Sequence, residues 1–150
     1  MINNFDLFLN VWIGFGVLTF AYLIISKIRT PYGRHSSKGW GFMINNTWAW
    51  FWMEFPALVV MPVLSLVGPN ELNPFSILLV SIWFIHYFNR VIVFPLRIKT
   101  KGKKMPISIA LSAFFFNILN GFFNGYYVGF IMDQGSIYNY NVLIGLIIFI

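Results

Sequence analysis

Four stretches of the chain, roughly Phe5–Ile28, Asn46–Val67, Phe75–Ile98 and Ile107–Ile131, run through apolar residues with almost no charge. Each is as long as the about 20 residues a helix needs to cross a ~30 Å hydrocarbon core. In lipid every backbone polar group must be paired within the structure, and for uninterrupted apolar runs of this length a helix is the expected way to do so. The breaks between them carry turn chemistry: a basic loop with Gly and Ser, a Gly-Pro-Asn-Glu-Leu-Asn-Pro turn at 68–74, and a Lys-rich loop. The fold class expected is therefore an all-α integral membrane protein. Composition agrees, with 59% hydrophobic residues and only 9% charged. A soluble domain carries about a quarter of its residues charged.

The formal charge of +6 would suggest a nucleic-acid partner in a soluble protein. Here its distribution says otherwise. Lys27, Arg29, Arg34 and Lys38 fall in one break and Arg97, Lys99, Lys101, Lys103 and Lys104 in another, whereas Asp6, Glu71 and Asp133 sit at the opposite ends of the runs. The bias of Lys and Arg toward one side sets orientation, so both basic loops are expected in the cytoplasm and the N-terminus on the lumenal or periplasmic side. The partner expected is the lipid bilayer, with no nucleic acid. There is no cysteine, hence no disulfide or thiolate metal site. Met1–Asn4 lacks a basic signal-peptide region.

A fifth apolar run begins near Ile137 and is still hydrophobic at Ile150. Its 14 residues make about 21 Å of helix at ~1.5 Å per residue, short of the hydrocarbon thickness. Two readings are open: a truncated fifth helix of a longer polypeptide, which we favour, or a short re-entrant last helix.

Polar groups inside membrane helices are costly, so each is a site hypothesis that needs a partner. The second run has Glu54 in Trp50-Phe51-Trp52-Met53-Glu54-Phe55-Pro56, the third has His86-Tyr87-Phe88-Asn89-Arg90, and the fourth has Asn117, Asn120 and Asn124 with Gly121 and Gly125 between them. Counted inward from the basic ends at ~1.5 Å per residue, Glu54 and Arg90 lie about 12 Å deep, Asn117 about 15 Å and Tyr87 about 16 Å. All four can line one cavity. His86, Tyr87 and Arg90 share one angular sector of their helix. Structural roles compete with functional ones at every position. Glu54 and Arg90 could be a packing ion pair, His86 a hydrogen-bonded packing residue, and the Asn and Gly stripe interhelical glue. No second His or carboxylate stands at metal spacing, and no glycine-rich nucleotide motif, nucleophile elbow or Cys-x-x-Cys occurs.

Five segments in order, Pro31-Tyr32-Gly33-Arg34-His35, Trp50-Phe51 with Met53-Glu54-Phe55-Pro56, His86-Tyr87-Phe88-Asn89-Arg90, Gly102-Lys103-Lys104-Met105-Pro106, and Asn120-Gly121 with Gly125-Tyr126-Tyr127, resemble the N-terminal half of the steroid 5α-reductase family (3-oxo-5α-steroid 4-dehydrogenases). The resemblance implies a seven-helix membrane reductase that uses NADPH on the 4–5 double bond of 3-oxo-4-ene steroids. It places Glu54 and Tyr87 as the catalytic pair on the keto oxygen, with Glu54 protonated or sharing the proton of Tyr87. Trp50, Met53, Ser112 and Phe116 match its substrate-binding positions, and His86, Arg90 and Asn120 are supporting. Met53 stands where the family commonly has Gln, and Ser112 where the animal enzymes have Arg. Cofactor-binding residues are expected mainly in a C-terminal half beyond residues 1–150, so this segment by itself is expected to be inactive. A polyprenol or long-chain enoyl reductase of the same superfamily, acting on an isoprenoid or acyl lipid, is the nearest alternative. A non-enzymatic transport or structural protein is the more distant one.

Overall fold

A computed structural model describes residues 2–27, 38–99, 102–132 and 144–145. The Pro31–His35 segment and most of the fifth apolar run therefore lie outside the described residues. The helices are α1 (Ile2–Ser26), α2 (Asn46–Val67), α3 (Pro74–Phe88), α4 (Phe94–Arg97) and α5 (Ile107–Tyr126). A π-helical turn, Asn89–Val93, joins α3 to α4 as one rod, and another, Tyr127–Ile131, prolongs α5. Among the described residues four spans are long and apolar enough to cross a membrane: Asn4–Ser26, Asn46–Val67, Pro74–Arg97 and Ile107–Ile131. These are the four runs read from the sequence, with the ends of the first and third moved by one or two residues.

The basic loops are not plain loops. Strands β1 (Met43–Asn45) and β2 (Lys104–Pro106) pair antiparallel, with Met43 opposite Pro106, Ile44 opposite Met105 and Asn45 opposite Lys104. Each strand is preceded closely by a glycine at positive φ, Gly41 (φ 105°) and Gly102 (φ 84°), a backbone region that side chains with a Cβ rarely enter. Each strand also runs straight into a helix, β1 into α2 and β2 into α5. The Asn46 N–H donates to the Lys103 carbonyl at 3.0 Å and the Ile107 N–H to the Phe42 carbonyl at 2.8 Å. Two amide groups that a helix start leaves orphaned are thereby paired across the ladder. The Asn45 side chain caps α2 further, accepting from the N–H of Thr47 (2.9 Å) and Trp48 (3.3 Å). Leaving one short ladder, α2 and α5 run in the same direction from the basic end.

Helix α2 is the centre of the bundle. It lies along α5 for most of its length and meets α3 on another side. Glycines four residues apart make the first contact close: a Cβ at Gly121 would stand 3.0 Å from the Cβ of Val60, and one at Gly125 2.7 Å from the Met61 carbonyl oxygen. Gly129 meets the backbone of Leu64 and Gly68 in the same way. With no hydrophobic force between helices in lipid, such close approach supplies the dispersion contacts that hold them. At the far end the Asn70 side chain donates to the carbonyls of Val128 (3.3 Å) and Met132 (3.1 Å), while its N–H donates to Gly129 (3.0 Å). This turn clasps the end of the fourth span. Helix α1 touches α5 through aromatic rings, Phe5 against Phe123 and Tyr126, and Trp12 against Phe116.

Candidate functional site

The shared ladder fixes the relative depth of α2 and α5. Glu54 is eight residues into α2 and Asn117 ten into α5, so at ~1.5 Å per residue both lie about 12–15 Å from the basic end. The third span supplies the other side. Asn73 caps α3, accepting from the Ser76 N–H at 2.9 Å, with Pro74 in the first turn, where its missing N–H costs nothing. The Trp83 indole N–H donates to the Ala57 carbonyl of α2 at 2.7 Å, which fixes the two helices one turn from the polar cluster. Arg90 sits within the π turn. A π turn inserts one extra residue and changes the direction in which the following side chains leave the helix, a device frequent at functional sites.

Arg90 donates to Glu54 Oε1 in an ion pair whose acidic partner is almost wholly buried, its side chain 6% exposed against 40% for Arg90. The second oxygen of Glu54 accepts from the Asn117 amide at 3.2 Å, and the same amide donates to the Met53 carbonyl at 2.7 Å. Both carboxyl oxygens thus face donors. A charge in this position requires such pairing. The Arg90 guanidinium also lies 5.6 Å from the centre of the Trp50 ring, which packs against Phe94 at 4.6 Å as well. Tyr87 is held separately. Its hydroxyl oxygen accepts from the Asn120 amide at 2.9 Å, and its ring packs against Trp83 and His86.

Met53, Glu54, His86, Tyr87, Arg90, Ile109, Ala113, Phe116 and Asn117 line one open cleft of about 360 Å³ between α2, the third span and α5. The sequence brought Glu54, Tyr87, Arg90 and Asn117 to a common depth, and they line a common cleft. Of the other predicted positions, Met53, His86 and Phe116 line it too. Asn120 stands behind the lining, bonded to Tyr87. Trp50 and Ser112 do not line it: Trp50 is buried behind Arg90, and Ser112 is exposed on α5, donating to the Ser108 carbonyl at 2.8 Å. Asn117 carries more of the site than a packing role alone, since it ties the helices together and lines the cleft at once. The clue in the sequence is its place in a polar stripe with Asn120 and Asn124. A second cleft of about 350 Å³ lies beside the first, lined by Ile85, His86, Asn89, Arg90 and Phe94.

Chemically, the cleft combines apolar walls with a hydroxyl, a carboxyl and a guanidinium placed where water is scarce. Hydrogen bonds and charges there act more strongly than in water.

Residues 103–150 match the family model described as 3-oxo-5-alpha-steroid 4-dehydrogenase. The chain is 38% identical over 136 residues to a protein named steroid 5-alpha-reductase DET2 of Arabidopsis thaliana, an alignment covering 85% of this chain and 52% of that protein. It is likewise 38% identical over 129 residues to the protein of that name from Gossypium hirsutum, covering 82% of this chain and 50% of the other. With 3-oxo-5-alpha-steroid 4-dehydrogenase 1 of Bos taurus it shares 35% identity over 112 residues, or 71% of this chain and 43% of the bovine one. The chain spans about half the length of the curated relatives it matches.

Proposed function

Because the chain belongs to the steroid 5-alpha-reductase (3-oxo-5-alpha-steroid 4-dehydrogenase) family, we propose that it is the transmembrane substrate-binding part of an NADPH-dependent reductase of the 4–5 double bond of 3-oxo-4-ene steroids or similar lipid enones. The observation that carries this reading is the cleft, in which Glu54, Tyr87 and Arg90 meet Phe116, Ile109 and Ala113 at membrane depth. An apolar enone entering from lipid needs such walls, and its carbonyl needs donors.

Reduction of an enone places negative charge on the keto oxygen as the β-carbon receives hydride, and a proton then reaches the α-carbon. Donors aimed at that oxygen lower the barrier, and losing one at a comparable site costs about 10²–10³ in rate. Tyr87 is suited to the role: Asn120 already donates to its oxygen, so its own hydrogen is left to give. Glu54 serves the same oxygen as a donor when protonated. Ionised, it holds Arg90, whose guanidinium lines the cleft, in place. Phe116 and Ala113 bound the ring system and exclude water. NADPH supplies the hydride when bound, and the donor set fits its phosphates, since Arg97, Lys99, Lys103 and Lys104 are exposed cations near the basic end.

The test follows NADPH oxidation in membranes carrying this segment joined to the C-terminal half expected to bind the cofactor, with a 3-oxo-4-ene steroid, an isoprenoid enone and a long-chain enoyl thioester offered separately. Consumption with the steroid, yielding a product saturated at 4–5, is the expected result. Turnover of the isoprenoid or acyl substrate alone moves the assignment to the polyprenol or enoyl reductases. No turnover of any of the three by this segment inserted together with that C-terminal half overturns the enzymatic reading.

A further inference from the structure

The carbonyl-polarising role above depends on which way one hydrogen points. A phenol and a carboxamide can bond in two senses. The amide N–H can donate to the phenol oxygen, leaving the phenol hydrogen for a ligand, or the phenol can donate to the amide oxygen and have nothing left to give. The donor–acceptor geometry of the Tyr87–Asn120 pair alone accommodates either. What decides between them is a third side chain. Asn124, one turn further along α5, directs its amide nitrogen at the backbone carbonyl of Asn120, 2.8 Å away. A backbone carbonyl only accepts, so the NH₂ end of Asn124 must face it. That same NH₂ lies 3.2 Å from Asn120 Oδ1. With its oxygen held toward Asn124, Asn120 must present its own NH₂ to Tyr87, at 2.9 Å. The order is then fixed from a group of unambiguous polarity: backbone carbonyl, Asn124, Asn120, Tyr87.

We propose that Asn124 is a positioning residue, which fixes the orientation of the Asn120 amide and thereby keeps the Tyr87 hydroxyl a donor toward the cleft. The inference rests on the reductase reading for its consequence in turnover, but its structural content is independent of it. Asn124 is itself exposed on α5 and is not among the residues lining the cleft, so it acts only through Asn120. Without it the Asn120 amide is released, and because a phenol is a stronger donor than an amide, the Asn120 oxygen turns to Tyr87 and captures its hydrogen.

The measurement is the infrared C–O stretch of ring-labelled tyrosine in the membrane-embedded protein, with the Tyr87 band identified by its loss in Tyr87→Phe. That band distinguishes a phenol that accepts from one that donates. Asn124→Leu should move it to the donating form, Asn124→Gln should restore it, and turnover of the enone should fall on the order of tenfold in step with the band, the scale of one hydrogen bond. Asn124→Ala is the second deletion should Leu impair insertion. An unchanged Tyr87 band in either deletion overturns the proposal. A band that converts while turnover stays constant leaves the relay standing and removes Tyr87 from the reduction, which is a failure of the functional reading instead.

Discussion

Glu54 and Tyr87 are the residues on which the proposed chemistry turns, and they are held by different partners. Arg90 and Asn117 engage Glu54, while Asn120 engages Tyr87. Tyr87→Phe keeps the ring packing against Trp83 and removes only the hydroxyl, so turnover should drop by about 10²-fold with protein level unchanged. Steady-state kinetics on membranes matched for protein content checks this; near wild-type turnover would show that the hydroxyl does not act on substrate. Arg90 behaves differently. Arg90→Leu leaves Glu54 buried without its counter-charge; a fully buried pair that loses one partner costs about 3–5 kcal/mol, and this pair, with Arg90 40% exposed, should cost less than that. Its expected signature is loss of accumulated, detergent-stable protein, and the double variant Arg90→Leu with Glu54→Leu should recover most of that stability. Failure of the double variant to recover would show that Arg90 matters through Trp50 stacking more than through the carboxyl.

At the scale of the elements, the tightest constraint is the glycine contact between α2 and α5. A methyl group at Gly125 has no room beside the Met61 carbonyl. Gly125→Ala should therefore separate the helices and cost about 1–3 kcal/mol, the range for overpacking. A lowered thermal midpoint in detergent, larger than that of Gly39→Ala, where a Cβ meets nothing within 4 Å, is the expected outcome. The positions of these helices were legible in the sequence because a membrane span is a composition signal about 20 residues long. The cluster was legible because depth along a helix is arithmetic, and so Glu54 and Arg90 could be matched from their distances to the basic loops alone. Two features were not. The ladder between Met43–Asn45 and Lys104–Pro106 spans only three residues per strand and joins segments some 60 residues apart, so no local pattern announces it. The π turns at Asn89–Val93 and Tyr127–Ile131 share no sequence pattern, reading Asn-Arg-Val-Ile-Val in one and Tyr-Val-Gly-Phe-Ile in the other. Trp50 illustrates the limit of the family resemblance. Its match to a substrate-contacting position says nothing of Arg90, whose guanidinium stands over its ring.

For the whole molecule the question is which way the bundle faces. Lys103 and Lys104 stand at the end where β1 and β2 pair, and Glu71 stands in the turn at the other end of α2, so the two loops lie one membrane thickness apart along a 22-residue helix. Positive residues are retained on the cytoplasmic side during insertion, so the expected orientation has the paired strands in the cytoplasm and the turn outside. The absence of native cysteine makes the test direct. Lys103→Cys and Glu71→Cys each introduce a single thiol in an exposed position of a short connection. In sealed vesicles or intact cells an impermeant maleimide should label Glu71→Cys and spare Lys103→Cys until the membrane is opened. The reverse pattern would invert the bundle and put the exposed cations Arg97, Lys99, Lys103 and Lys104 away from the cytosol. A reductase drawing NADPH from the cytosol could not use those cations for the cofactor's phosphates, so the labelling result also decides whether the basic end keeps its proposed role.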